Sequence, residues 1–287
     1  MLSWTIGDVK VTRIVEFETP PMRGGGAGSM VEAGTPENIL TIPWLQPHFA
    51  DERGYVKLSI HALLVEAPGL KLVVDTCVGN DKPRAHSFFN NLQTAFLKDF
   101  EASGWRREDV TAVVCTHMHV DHVGWNTMLV DGKWVPTFPN ARYLLGKTEW
   151  EHWSHHDGEG EHAAILADSV QPLFDAGLVD LVGMDHVLTP DVRLVPTPGH
   201  TPGHVSVLIQ SRGKRAYITG DMMHHPCQIA HPEWSSGFDT DQAWSARTRQ
   251  AFVADVAASE ALVIGTHFPA PTAGRIVLDE GRYRLKV

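Results

Sequence analysis

The sequence predicts a single α/β domain, and three observations carry that expectation. Short apolar, β-branched runs recur along the chain and alternate with segments of helical periodicity. Neither an internal repeat nor a low-complexity linker divides the 287 residues, so one domain over 1–287 is the simplest reading. Residues with ligand chemistry follow directly on four of the strand-like runs, at positions 117–122, 200, 221 and 267.

Taken in order, residues 8–17 (DVKVTRIVEF) read as a strand on their β-branched content. The Pro- and Gly-rich TPPMRGGGAGS opens a long irregular stretch at about 19–56. Stretches of that length are lids, interface arms or plain connections. Residues 57–66 and 71–75 form two strands joined at Pro-Gly. In 87–103, Phe88, Leu92, Phe96 and Phe100 recur every four positions, which predicts an amphipathic helix. Residues 111–115 (TAVVC) are a short buried strand and 141–145 another. Residues 147–176 are mostly helical with a Gly-containing break near 158–160, and 178–220 is dominated by strands. Residues 240–259 are a helix with Thr240 as its N-cap and Asp241 in the first turn. Residues 261–265 are a last buried strand, and the tail folds as a hairpin about 279–281.

Composition narrows the function. A formal net charge of −10 repels phosphate backbones, so nucleic-acid partners are not expected. The basic run Arg212, Lys214, Arg215 reads as a solvated turn between strands. The segment 1–17 lacks a basic start followed by an apolar run, and no apolar stretch approaches the roughly 20 residues that span a bilayer. A cytoplasmic location without membrane partners is the default. With three cysteines, Cys77, Cys115 and Cys227, one thiol has no partner within the chain. Reduced, structural thiols are expected for all three.

The chemistry concentrates in Thr116-His117-Met118-His119-Val120-Asp121-His122-Val123-Gly124, where four candidate ligands fall within six residues after an apolar strand. Neutral imidazole and carboxylate suit zinc and similar divalent ions. His200, Asp221 and His267 each follow a later strand-like run. Strand then ligand, four times over, describes a site along one edge of a sheet sandwich. Five histidines and two aspartates carry only two negative charges.

The order His-x-His-x-Asp-His, His, Asp, His resembles the metallo-β-lactamase-fold superfamily of hydrolases. The likeness runs from the strand carrying Asp75 to His267, and the PGHTPGH and TGD segments agree with it. It implies an αββα sandwich, two mixed sheets flanked by helices. It implies His117, His119 and His200 on a first metal, Asp121, His122 and His267 on a second, and Asp221 bridging them. Asp75 would support the site from behind through hydrogen bonds to the ligand loop. Two zinc ions are the first expectation, with manganese, cobalt or iron as alternatives.

The superfamily hosts many activities, so fold alone does not choose among them. The intact Asp121-His122 pair, without a cysteine ligand, is unlike the commonest zinc β-lactamases. THMHVDHVGWN and TPGHTPGH are similar to the N-acyl-homoserine-lactone lactonases, which implies opening of a lactone or ester by the bridging hydroxide. Those enzymes commonly place a tyrosine three residues after the bridging aspartate, where this chain has His224. His224 and the His267-Phe268-Pro269 segment resemble the methyl-parathion-hydrolase branch, so a phosphotriesterase-like hydrolase is the alternative. A β-lactamase, a thioesterase and a catalytically dead metal-binding protein remain further readings. Asp121 is expected to deliver a proton to the leaving alkoxide, and His224 to hydrogen-bond the substrate's oxygen. His225 is a weaker candidate for the same place.

A small-molecule substrate with an apolar part is the expected partner, and the long N-terminal stretch leaves a homodimer arm open. Trp125 and Phe268 are the first candidates for a pocket wall, ahead of Phe49, Phe88, Phe89, Trp153, Trp234 and Phe238. The run His152, His155, His156 and His162 reads as a solvated helical surface rather than a third metal site.

Overall fold

The computed structural model describes residues 1–155 and 160–287, with Glu161 described in its backbone alone. The chain's contacts separate into two compact units. Unit 1 holds Ser3–Phe17 and Ile60–Met184, with Met1; unit 2 holds Glu18–Ser59 and Asp185–Val287, with Leu2. Each is built on a mixed sheet of seven strands flanked by helices, the α/β class expected from the sequence.

The sheet of unit 1 draws on β1 (Ser3–Ile6), β2 (Val9–Glu18), β3 (Ser59–Ala67), β4 (Leu70–Val74), β5 (Ala112–Val114), β8 (Arg142–Gly146) and β9 (Val179–Val182), paired in that order. A separate hairpin of β6 (Thr127–Val130) and β7 (Lys133–Pro136) turns at Asp131-Gly132. The four strands from β4 to β9 run parallel, so β4 and β5 deliver their C-terminal ends to one edge. Asp75 follows β4 there, and the 117–122 ligand cluster follows β5. Strand β3 is buried on both faces over most of its length, as a central strand must be, whereas β2 alternates between buried and more exposed positions. Helices Lys147–Ser154, Glu161–Ser169 and Gln171–Asp175 cover the range expected to be helical; the expected break falls partly outside the described residues.

The helix expected over 87–103 is shorter than its periodicity suggested and spans Phe96–Ala102. Upstream, Asn91 takes a positive φ of 52° and donates its backbone N–H to the Lys82 carbonyl at 2.8 Å. Asn80 Oδ1 accepts the Thr94 N–H at 2.8 Å. These bonds compete with helix formation.

Unit 2 orders β10 (Val187–Thr189), β11 (Val192–Pro196), β12 (Val205–Ser211), β13 (Lys214–Ile218), β14 (Leu262–Ile264), β15 (Ala273–Asp279) and β16 (Arg282–Lys286) in sequence. Strands β11–β12 and β12–β13 are antiparallel and β13–β14 parallel. Hence β11, β13 and β14 point the same way. Their C-terminal ends share one edge, and each is followed within four residues by His200, Asp221 or His267.

The stretch 19–56 is more ordered than its composition suggested. Val31, Ile39, Ile42, Leu45, Phe49, Ala50 and Val56 are buried in one cluster with Met222, Met223, Cys227 and Phe268. His225 Nε2 donates to the Phe49 carbonyl at 2.9 Å. The stretch is therefore a packed layer of unit 2 rather than an irregular connection. Helix Gln242–Ala257 is capped by Asp241, whose carboxylate accepts the Trp244 N–H at 2.8 Å. This corrects Thr240, whose own N–H is drawn away to the His200 carbonyl. Among the described residues, no helix is long and apolar enough to cross a membrane.

Candidate metal centre

Unit 1 places His117, His119 and His122 as a tight ring cluster, with His117 centred 4.6 Å from His119 and 4.0 Å from His122. Asp121 Oδ1 lies 3.5 Å from His122 Nε2. Behind them, Asp75 accepts from His122 Nδ1 at 2.9 Å, from the Thr116 N–H at 2.7 Å and from the Thr116 hydroxyl at 2.9 Å. With its proton committed to Asp75, the Thr116 hydroxyl presents a lone pair to His117 Nδ1 at 3.1 Å. Asp75 thus sets the tautomer of two histidines, one directly and one through Thr116, and turns the Nε2 lone pair of each outward.

The backbone that carries these groups is tightly specified. Asp75 and Cys77 hold positive φ values of 57° and 53°, strained for side-chain-bearing residues. Gly124 donates its N–H to the Cys77 carbonyl at 2.8 Å. A Cβ at Gly124 would lie 1.8 Å from the Val78 carbonyl oxygen, so only glycine allows the two loops to touch. Buried Glu16 ties them again: it accepts from Val78 N–H at 2.8 Å, Gly79 N–H at 3.1 Å and Trp125 Nε1 at 2.6 Å. Burial pushes the Glu16 carboxyl up to about 7.

Unit 2 arranges its candidate ligands around Asp221. His267 Nε2 stands 3.0 Å from Asp221 Oδ1, while His224 Nε2 and His200 Nε2 stand 3.3 and 3.6 Å from Oδ2. His200 Nδ1 donates to Asp239 at 3.0 Å, and His267 Nδ1 to the Ser59 carbonyl at 3.1 Å. A carbonyl only accepts, so the Nδ1 proton of His267 is fixed and Nε2 turns its lone pair toward a carboxylate. That approach is favourable across a cation. The donor set of each unit, neutral imidazole with carboxylate, fits a divalent metal.

Nearby histidines separate on the same criterion. His204 Nδ1 faces the Thr197 carbonyl at 3.0 Å, and its Nε2 accepts the Asp221 N–H at 2.9 Å. His225 donates to Phe49 and accepts the Cys227 N–H at 3.2 Å, and burial pushes it down to about 4. Both nitrogens of His204 and His225 are committed to the protein. His224 is 1% exposed, and neither of its ring nitrogens makes a hydrogen bond among the described residues.

Sequence reasoning missed Thr116, Asp239, His204 and Glu16. The doubled PGH of PGHTPGH pointed toward His204; nothing local marked Asp239 or Glu16.

Two of the expected wall residues are buried. Trp125 is buried against Phe96 at 5.5 Å with its indole N–H on Glu16, and Phe268 is buried edge-on to Phe49 at 6.3 Å. Both are core residues of their units, because their neighbours enclose the rings. Trp153 does face a candidate ligand: its ring meets His119 edge-on at 5.5 Å and stacks on His162 at 3.8 Å. His152 and His162 are half-buried around it, unlike the solvated face expected for that run, whereas His155 is exposed; His156 lies outside the described residues. All three cysteines are buried free thiols, and burial raises each well above its ordinary range, as inert structural thiols require.

Comparison with known proteins gives a consistent family. The profile of the Metallo-beta-lactamase superfamily matches residues 56–267. An N-acyl homoserine lactonase of a Bacillus species is 26% identical over 205 residues, covering 67% of this chain and 75% of that one. A probable metallo-hydrolase of Mycobacterium tuberculosis is 29% identical over 184 residues, covering 59% and 58%. Among solved structures, the hydrolase AbOPH of the beta lactamase superfamily superposes with a TM-score of 0.79 at 24% identity, covering 99% of this chain and 96% of that one. AidC, described as a dizinc quorum-quenching lactonase, gives 0.75 at 19% identity over the same shares. At these identities the structural likeness establishes a common fold.

Proposed function

The chain belongs to the metallo-β-lactamase superfamily, and from that premise we propose that it is a dinuclear-metal hydrolase that opens lactones, N-acyl-homoserine lactones first among them. His117, His119 and His200 would hold one ion and Asp121, His122 and His267 the other, with Asp221 shared. The supporting observation is the proton bookkeeping behind the ligands. Acceptors face Nδ1 of His117, His122, His200 and His267 at 2.9–3.1 Å, so in these four rings the proton sits on Nδ1 and Nε2 carries the lone pair that a cation needs. Zinc suits nitrogen and carboxylate donors, and a relative of the same fold is described as a dizinc enzyme.

Two bound ions would supply Lewis acidity to the substrate's oxygen and acidify a shared water toward neutrality. The chain's own groups do the rest. Asp75 and Asp239 hold the ligand rings in one orientation. His224, with neither nitrogen committed, is placed to donate to the developing oxyanion. Asp121 carries a proton to the departing alkoxide. The lactone class is favoured by relatives named N-acyl homoserine lactonase, which also suggests a substrate with an apolar acyl part. His224 in place of the lactonases' expected tyrosine favours a phosphotriester as the second reading.

The test is turnover of N-hexanoyl-homoserine lactone, an aryl ester, a thioester, a β-lactam and an aryl phosphotriester by protein of measured metal content, with chelator-stripped protein as control. The lactone should give the largest kcat/KM, lost on stripping and restored by zinc. Protein carrying two ions per chain that turns over the phosphotriester alone would establish the second reading, and one that turns over nothing would end both.

A further inference from the structure

We infer that unit 2 carries a three-ligand metal set of its own, in which Nε2 of His200, a carboxylate oxygen of Asp221 and Nε2 of His224 hold the first divalent cation to arrive. Resting on the dinuclear reading above, this adds His224 as a ligand in the one-ion form of the protein. The three donor atoms all lie within 4.8 Å of one another. Asp221 Oδ2 stands 3.3 Å from His224 Nε2 and 3.6 Å from His200 Nε2. Donors bound tetrahedrally to zinc at about 2.0–2.1 Å are separated by roughly 3.3 Å. The two separations from Asp221 are therefore close to those of groups sharing one ion.

His200 is aimed from behind by Asp239, and the backbone of Asp221 is held where its N–H donates to His204 Nε2. His224 is aimed by its loop. The backbone N–H groups of His224 and His225 both converge on Gln228 Oε1, at 2.8 and 3.3 Å, and Gln228 Nε2 donates to the Trp234 carbonyl at 2.9 Å. On the other side of His224, buried Arg249 donates to the Met222 carbonyl at 2.8 Å. The loop is fixed, the ring is buried, and its nitrogens make no hydrogen bond among the described residues. A buried imidazole held this way keeps a lone pair for a cation, which His204 and His225 do not. Two imidazoles and one carboxylate are also a sufficient protein donor set for a single open zinc site. Loading then has an order: unit 2 takes the first ion with His224, and the histidines of 117–122 complete the pair, freeing His224 for substrate.

The test is Co²⁺ titration of the metal-stripped full chain, followed by visible ligand-field absorption and by chelator competition. Wild type should bind two ions with distinguishable affinities. His119→Ala/Asp121→Ala, which weakens both contributions of unit 1, should keep the first ion within about tenfold of its wild-type affinity. Adding His224→Ala should weaken that ion by more than about tenfold, beyond the smallest loss expected for a residue that only orients a ligand. His224→Cys guards against a folding artefact: it should restore the affinity and add a thiolate-to-cobalt charge-transfer band to the one-ion form. An unchanged first-ion affinity on adding His224→Ala, or a one-ion His224→Cys protein without that band, overturns the inference while leaving the dinuclear reading intact. Wild type that binds no ion overturns the dinuclear reading itself.

Discussion

A histidine that binds a metal through Nε2 must keep the proton on Nδ1, and an acceptor at Nδ1 makes that tautomer permanent. Asp239 does this for His200 at 3.0 Å while its other oxygen accepts the Ser236 N–H at 2.9 Å. An amide in its place meets donors on both sides, so one of the two bonds is lost. Asp239→Asn should therefore lower metal affinity by roughly 10- to 100-fold with little change in folded content, read by chelator competition beside far-ultraviolet circular dichroism. Affinity equal to wild type would show that Asp239 does not orient the ligand. The contrast between Asp239 and the 117–122 cluster explains what the sequence reveals of the site. Four candidate ligands within six residues announce themselves, because one loop brings them together. Asp239 reaches His200 across 39 residues, and no spacing rule connects a helix-preceding loop to a ligand that far upstream. The burial of the two wall candidates was illegible for a related reason: adjacency in sequence to His122 or His267 does not fix which way a ring turns. Trp125 and Phe268 turn inward because Glu16 and Phe49 are there to receive them.

At the scale of elements, the helix Gln242–Ala257 is bolted to the loop that carries His200. Thr240 and Asp241 donate their N–H groups to the His200 and Gly199 carbonyls at 2.8 and 3.0 Å, and Asp241 then caps the helix with its carboxylate. At Gly199, φ is 128°, and a Cβ there would lie 2.2 Å from the Ser245 nitrogen. These two features separate helix stability from ligand placement. Asp241→Ala removes a cap and should cost about 1 kcal/mol of unfolding free energy with metal affinity nearly unchanged. Gly199→Ala should lose more stability than that and also release metal, because the helix or the His200 loop has to move. Urea unfolding and metal analysis of the two proteins check the contrast, and a Gly199→Ala protein with wild-type metal content would refute it. Strands were the most legible elements, since β-branched runs such as 111–115 specify themselves locally. The helix over 87–103 was overread because periodicity says nothing of Asn91, whose backbone is captured by Lys82. The hairpin β6–β7 went unread although Asp131-Gly132 is a strong turn signal. Residues 19–56 looked structureless because their apolar residues follow no period; they pack one at a time, through short turns, onto Met222, Met223 and Phe268.

Over the whole molecule, two buried titrations oppose each other, one in each unit. Glu16 has a folded value of about 7 against an ordinary 4.5, so the folded state holds its proton more tightly than the unfolded chain does. Its contribution to stability is complete below pH 4.5 and is lost as pH rises through 7, about 3 kcal/mol in all. His225 has a folded value of about 4 against 6.5, so the unfolded chain takes up its proton first. Its contribution is complete above pH 6.5 and is lost as pH falls through 4, again about 3 kcal/mol. Between pH 4.5 and 6.5 the two slopes have opposite sign, so the pH dependences of these groups offset each other in the wild-type protein. Removing either group exposes the other. In metal-free protein, Glu16→Gln gives up the Val78 and Trp125 bonds in part and starts out less stable than wild type at pH 4.5. The gap should then close by about 3 kcal/mol as pH rises to 7, because wild type has to ionise a buried carboxyl and the variant does not. His225→Gln should move the other way, approaching wild type as pH falls from 6.5 to 4. Urea unfolding of the three proteins at half-unit steps gives the differences directly, and other groups cancel in the subtraction. A Glu16→Gln difference that stays constant across that range would mean that the donors Val78, Gly79, Trp125 and Thr94 hold the carboxylate ionised throughout, and that hydrogen bonding outweighs burial at the staple between the two loops.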